Sequence, residues 1–484
     1  MLNRRRLLAL GGGAAGVAGL ALLLPNQPQP AADGAARHVH PHRARVRPAG
    51  AARTAAPFST RMPVPSVLRP VASTTTTDVY RLDMRPATVE IIPGLRTEVL
   101  TFGGQFPGPT IRARTGRRVA ITFDNRLGEA ANVHLHGGHT APEHDGHPMD
   151  VIAPGGSRFY DYANRQQGAT LWYHDHSHHT EAQHVYRGLQ GFYLIDDPSE
   201  ATLGLPTGAY DVPIVLGDAF IAEDGTLIYD TPDTRTTLLA NGKQQPYFPV
   251  AARKYRFRLL NGATERIFRL NLGGEVMTQI GTDGGLLPAP ILHTELPLSS
   301  AERADLVIDF SRYPVGTQLV LADTTGPLLR FDVVRQATDY SRLPDELRPL
   351  PALAAATVER DITLSFDVSG VPTGLVNGKP YDPNRVDFQV KRGSTEIWRI
   401  YNGDGQFNAD HNFHLHLEQF RVLGREGAPS RPSDAGRKDT VAIPPDTAVR
   451  IQTTFTDYVG KYVYHCHFLD HSSVGMMAQM EIVP

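Results

Sequence analysis

Imidazoles spaced two residues apart dominate this chain. Its histidine content predicts about one His-x-His pair by chance, whereas seven occur. His38-Val-His40 and His40-Pro-His42 fall in an Ala/Pro/Arg-rich stretch and read as solvated, incidental histidines, and His176-Ser-His178 overlaps a stronger pair. The four that remain, His134/His136, His174/His176, His414/His416 and His465/His467, stand at the ends of strand-like runs. Residues i and i+2 of a strand face the same side, so each pair offers two nitrogens to one point. One such pair reads equally well as a zinc site or as hydrogen-bonded core histidines. Four pairs supply eight imidazoles.

The segment HCHFLDHSSVGMM (465–477) adds a second kind of chemistry. Cys466 is the only cysteine, so no intrachain disulfide can form. A lone cysteine is usually a small buried hydrophobe. This one lies between His465 and His467, and its sulfur therefore faces away from their rings. His471 follows five residues later and Met476 ten. With His411 they make a thiolate, two imidazoles and a thioether, the ligand set of a blue-copper centre. Zinc does not account for a cysteine flanked by ligands aimed the other way. His139, His144, His147, His178, His179 and His184 lie near the first two motifs, where partners that orient ligand imidazoles are expected. Met477 and Met480 read as core strand residues.

The elements that must present these groups are strands. Forty-five Gly and 38 Pro punctuate the 484 residues, and no segment holds a helical period over several turns. An internal echo sets the organisation. A strand ending in Asn125 is followed by HLHG (134–137), APGGSRFYDY (153–162), LWYHDH (171–176) and GLQGFYLI (188–195). A strand ending in Asn402 is followed by HNFHLH (411–416), IPPDTAVRI (443–451), KYVYHCH (461–467) and MMAQMEIV (476–483). The middle third repeats the skeleton as YRFRLLNG (255–262) and RADLVIDF (303–310), with His293 its only histidine. The expected architecture is all-β: three sandwiches at about 57–199, 206–345 and 356–484, the outer two carrying chemistry and the central one a spacer.

Charge narrows the partners. Residues 1–73 hold ten of the 48 basic side chains, all Arg, and one of the 50 acids, Asp33. The remainder carries an acidic excess of 11, which argues against a nucleic-acid backbone as ligand. Arg4, Arg5 and Arg6 precede a Gly-softened apolar run from Leu7 to Leu24, which reads as a twin-arginine export signal over 1–24 rather than a membrane anchor. Residues 25–56 read as a flexible linker, and the expected location is periplasmic or extracellular, with no integral membrane domain in the mature protein.

The four histidine motifs resemble the copper signatures of the multicopper oxidase family, and FGGQFPGPTI (102–111) and KDTVAIPP (438–445) resemble other stretches of it. PFSTRMPVPSVLRPV (57–71) and APEHDGHP (141–148) look most like its bacterial spore-coat laccase and bilirubin oxidase branch. The resemblance runs from about residue 57 to the C-terminus. It implies three cupredoxin-like Greek-key domains and four copper ions. His411, Cys466, His471 and axial Met476 match the type 1 ligands, and His134 and His414 the type 2 ligands. His136, His174 and His467 match one type 3 copper, and His176, His416 and His465 the other. The cluster is then expected between the first and last domains. Asp145 matches an acid that relays protons in the family, and Ser472 stands where a second acid commonly follows the last type 1 histidine.

The implied activity is one-electron oxidation of phenols or aromatic amines, entering near His471 and passing through Cys466, coupled to reduction of dioxygen to water. Two rivals stay open. A metallo-oxidase of cuprous, ferrous or manganous ions is one, although the eight Met form no cluster. A copper carrier or storage protein is the other; it needs no eight-histidine cluster and consumes no oxygen with a reducing phenol. The loop GDGQFNAD (403–410) is expected at the rim of the substrate surface.

Overall fold

Alternation along the first long strand shows how the sandwiches are built. In Thr77–Val89, Tyr80, Leu82 and Met84 are buried while Arg81 and Arg85 between and beyond them face solvent. A half-buried strand of this kind needs a second sheet to cover its apolar face. The computed structural model, which describes residues 55–484, answers this three times over with six sheets. The signal at 1–24 and nearly all of the 25–56 linker lie outside the described residues.

The three sandwiches share one plan. One sheet of each contains a parallel pair: Thr77–Val89 with Arg118–Asn125, Asp211–Ile221 with Lys254–Asn261, and Val358–Asp367 with Thr395–Asn402. The facing sheet repeats one order: in the first sandwich Gly108–Arg114, Gln190–Asp196, Ala169–His174 and His134–His136; in the last Phe388–Lys391, Met477–Val483, Gly460–His465 and His411–Leu415. Each sandwich encloses its own cluster of buried apolar side chains.

The asparagine closing each parallel pair has a common physical role. Asn125, Asn261 and Asn402 are buried. Each side-chain amide donates to two backbone carbonyls, Glu129 and Ile152, Arg266 and Leu298, and Ala409 and Ile443 respectively. Each side-chain carbonyl accepts the backbone N–H two residues on. The residue satisfies backbone groups where the chain leaves one sheet for the other, which buried polar groups require. In the middle sandwich the strand after this crossing, Phe268–Asn271, buries Phe268 and Leu270 as the outer sandwiches bury Leu135, Phe413 and Leu415, and carries Arg269 and Asn271 at the alternating positions where they present imidazoles.

Helix is confined to short pieces, including Pro142–Asp145, Glu181–Tyr186 and Leu469–Ser472. Among the described residues no helix is long and apolar enough to cross a membrane. Buried polar contacts tie the middle sandwich to its neighbours: Thr170 donates to Asp305, Arg235 binds Asp470, and Asn412 donates to the Ser300 carbonyl.

Candidate metal centre

Strand pairing brings the histidines into register. His134 lies opposite His174 in the first sandwich, and His414 opposite His465 in the last. The two sandwiches then meet through their imidazoles. The ring of His134 stacks on His416 at 3.9 Å, and that of His136 on His414 at 3.7 Å. All eight rings are buried. Their ligand atoms fall into three sets, each within 4.8 Å: His136, His174 and His467; His176, His416 and His465; and His134, His414 and His416.

Five of the eight rings are anchored through their outer nitrogen. Nδ1 of His134 donates to the Asp145 carbonyl at 2.5 Å, His174 to that of Asp175 at 2.8 Å, and His414 to that of Asp439 at 2.7 Å. His465 donates to the Cys466 carbonyl at 3.0 Å, and His416 to the Asp145 carboxylate at 2.7 Å. A neutral imidazole that donates from Nδ1 carries its lone pair on Nε2. Nε2 of His134, His136, His174, His414 and His467 has no hydrogen-bond partner in the protein. Nε2 of His465 faces those of His176 and His416 at 3.2 and 3.3 Å. Lone pairs converging in a dry interior repel one another, and each unpaired buried acceptor costs about 1–3 kcal/mol; a shared cation removes both penalties. Burial holds these rings neutral, with His174 and His465 pushed down to about 4. Neutral imidazole is the form that binds metal. The donor set fits a group of metal ions.

The second set lies one residue away, on the opposite face of the same strand end. Cys466 Sγ is 3.8 Å from His411 Nδ1 and 3.6 Å from His471 Nδ1, and the two nitrogens are 3.1 Å apart. Burial works to raise the Cys466 thiol, but its bonds to His411 and His471 outweigh it and bring it down to about 6. That favours the thiolate, which is the ligand form. Met476 is buried in the same core, and its carbonyl accepts the Cys466 N–H at 3.1 Å.

Profiles of the multicopper oxidase family match residues 83–200 and 351–484. A laccase of Bacillus subtilis (strain 168) is 34% identical over 88% of this chain and 98% of its own length. A bilirubin oxidase of Albifimbria verrucaria is 32% identical over 87% of this chain and 80% of its own. The chain belongs to the multicopper oxidase family. A crystal structure of a laccase from Pediococcus acidilactici superposes with a TM-score of 0.83 at 31% identity, covering 90% of this chain and 95% of that one. The chain is thus a laccase-like oxidoreductase of cupredoxin-type sandwiches, and the family implies copper at these clusters.

Several residues that hold this multicopper oxidase's centres are not conspicuous in sequence. Asp404 belongs to the 403–410 loop expected at the rim, yet it is buried and accepts from His411 Nε2 at 2.8 Å. That bond turns His411 Nδ1 toward Cys466. Arg303, from the middle sandwich, is fully buried, donates to Asp439 Oδ1 at 2.7 Å and lies 3.3 Å from His136 Nδ1. The central sandwich is therefore more than a spacer. Gly137, directly after His136, has φ +79°, and a side chain there collides with the Asp439 carboxylate. Gly146, after Asp145, has φ +80° and no room beside the Val133 carbonyl. These two glycines allow the backbone approach that pins His136 and Asp145.

Asp145 lies in the heart of the site. One oxygen accepts from His416, and the other has no hydrogen-bond partner and sits 3.6 Å from His134 Nδ1. Burial raises its carboxyl well above the usual range. Of the neighbouring histidines, His184 binds Asp175 at 3.0 Å, and Asp175 separates two of the clustered rings in sequence. Burial opposes the charge on His184, but Asp175 and Glu129 outweigh it and push the ring up to about 10. His147 contacts Gln479 and His139 contacts Asp457, away from the rings. Met480 lies in the core of the last sandwich, and Met477 packs with Tyr381 and Val463.

Proposed function

We propose that this protein couples one-electron oxidation of phenols or aromatic amines to four-electron reduction of dioxygen to water. The observation carrying this reading is the pair of donor sets joined through three consecutive residues: Cys466 in one, His465 and His467 in the other. His411, Cys466, His471 and Met476 would hold a type 1 copper, and His134 and His414 a type 2 copper. His136, His174 and His467 would hold one type 3 copper, and His176, His416 and His465 its partner. Bound copper supplies one-electron acceptance at the first set and dioxygen reduction at the second. The chain supplies the rest. The backbone from Cys466 to its two neighbours is a covalent path between the sets. Asp404 and the outward carbonyls fix ring orientation, as partners of ligand histidines do. Asp145 keeps a proton available beside His416, where dioxygen chemistry needs acid.

The donor enters at His471. Its Nε2 points away from Cys466 and lies 3.6 Å from a carboxylate oxygen of Glu265, which is partly exposed. An acid beside the entry edge also favours positively charged donors, which supports a second reading, oxidation of reduced metal ions. Copper analysis, the visible spectrum and oxygen uptake against phenols, aromatic amines, bilirubin and cuprous, ferrous and manganous ions test both readings together. Four coppers, a blue band and uptake with phenols are expected. Copper binding without oxygen uptake from any donor would make the protein a carrier and refute the oxidase reading.

A further inference from the structure

Reduction of one dioxygen to two waters takes four electrons and four protons, and the protons must cross a buried shell. Most carboxyls in that shell are committed. Asp439 is bound by Arg303, and Asp175 by His184, Ser177 and the Asn132 N–H. Asp470 is bound by Arg235, Thr264 and Tyr229. Apart from Asp145, one differs. Glu181 opens the short helix that follows the turn after His176, and its side chain is fully buried. One carboxyl oxygen accepts from Ser472 Oγ at 3.0 Å, and the other has no partner. Among the described residues no cation pairs with it.

We propose that Glu181 carries protons for the oxidase reaction, in place of an acid at position 472. This rests on the oxidase reading above. Ser472 follows His471 directly and cannot itself serve as an acid, but its hydroxyl holds Glu181 against the same helix. The carboxyl is thus delivered from the first sandwich to a place beside the last. Residues beside it in the chain reach solvent. Ser473 Oγ accepts the Ala182 N–H at 3.3 Å, and the Ser473 carbonyl lies 3.0 Å from Nδ1 of exposed His179. His178, His179, Tyr381 and Val474 line an open cleft. Water in that cleft can return a proton to Glu181 after it has given one up toward the histidine cluster, so the residue is unchanged over a turnover.

The groups facing Glu181 support this. Asp175 and Tyr381 add no positive charge, Tyr229 is bonded to Asp470, and the cations His184 and Arg235 are each held by another carboxylate. Burial pushes the Glu181 carboxyl up to about 8. At neutral pH it is an acid with a proton to give.

Glu181→Gln, Glu181→Asp and the double variant Glu181→Gln/Ser472→Glu test the proposal. Copper content and the blue band should match the parent in all three. In stopped flow, Glu181→Gln should slow reoxidation by dioxygen by at least about tenfold and flatten its pH profile near 8. Reduction by substrate should be untouched. Glu181→Asp should keep most of the rate, and Ser472→Glu should restore it. In copper-free protein, infrared difference spectra should show a buried carboxylic acid titrating near 8 in the parent and not in Glu181→Gln. Unchanged reoxidation in copper-replete Glu181→Gln, or no such infrared band in the parent, overturns the role of Glu181. Failure of the parent to consume oxygen overturns the oxidase reading beneath it.

Discussion

Replacing Arg303 with Met should destabilise the copper-free protein by about 3–5 kcal/mol, the usual loss when one partner of a buried ion pair is removed. The guanidinium is fully buried. It donates to the Thr170 carbonyl at 2.9 Å, the Ala301 carbonyl at 2.8 Å and Asp439 Oδ1 at 2.7 Å, and its other arm meets Asp439 Oδ2. Methionine is apolar and leaves those acceptors unmet. Asp283 keeps Lys438 at 3.1 Å, so the uncompensated charge falls on Asp439, left with the Thr440 hydroxyl at 3.1 Å. Asp439 also positions His414 through its carbonyl, and Arg303 faces His136. Loss of stability should therefore come with weaker copper retention. Urea unfolding of copper-free Arg303→Met, Asp439→Asn and the double variant measures the pairing, with a coupling energy of about 2 kcal/mol expected for residues sharing a buried network. A loss below about 1 kcal/mol, or a coupling near zero, would show that the pair is not what joins the sandwiches at the cluster.

Cys466→Ser should leave a folded protein without blue absorption or oxidase activity, because Ser offers neither the thiolate bond nor the electron path; a blue, active variant would undo the site assignment. Met476→Leu should keep the blue site and raise its reduction potential, read by redox titration, while Met477→Leu leaves the potential alone. Asp145→Asn should slow reoxidation by dioxygen without affecting reduction by substrate, and unchanged reoxidation at full copper content would limit Asp145 to holding His416. Asp211 gives the pH test. Burial opposes its charge, but Arg258, Arg256 and Arg112 outweigh it and hold its carboxyl below the usual range. A depressed carboxyl contributes stability above its unfolded pKa of about 3.9, and that stability drains away as pH falls further. Thermal melts of copper-free Asp211→Asn should accordingly show lower stability at neutral pH and a shallower fall below about pH 4.

Much of the site is local in the chain and therefore readable from it. A His-x-His pair on a strand points both rings one way whatever the rest of the molecule does, and a Cys between two His must point the other way. The all-β plan was equally legible, since short strand-like runs ending in Asn125 and Asn402, echoed by YRFRLLNG in the middle third, recur between Gly and Pro turns. Other parts were not, because they depend on which surfaces meet. The stacking of His134 on His416 and of His136 on His414 joins residues some 280 positions apart. In the sequence Arg303 merely begins the strand-like run RADLVIDF, Asp404 lies in the 403–410 loop, and nothing marks Glu181. Only packing removed water from around them. Desolvation makes a committed partner of Arg303 and Asp404 and a proton-bearing acid of Glu181, and it is a property of the assembled interior rather than of any stretch of sequence.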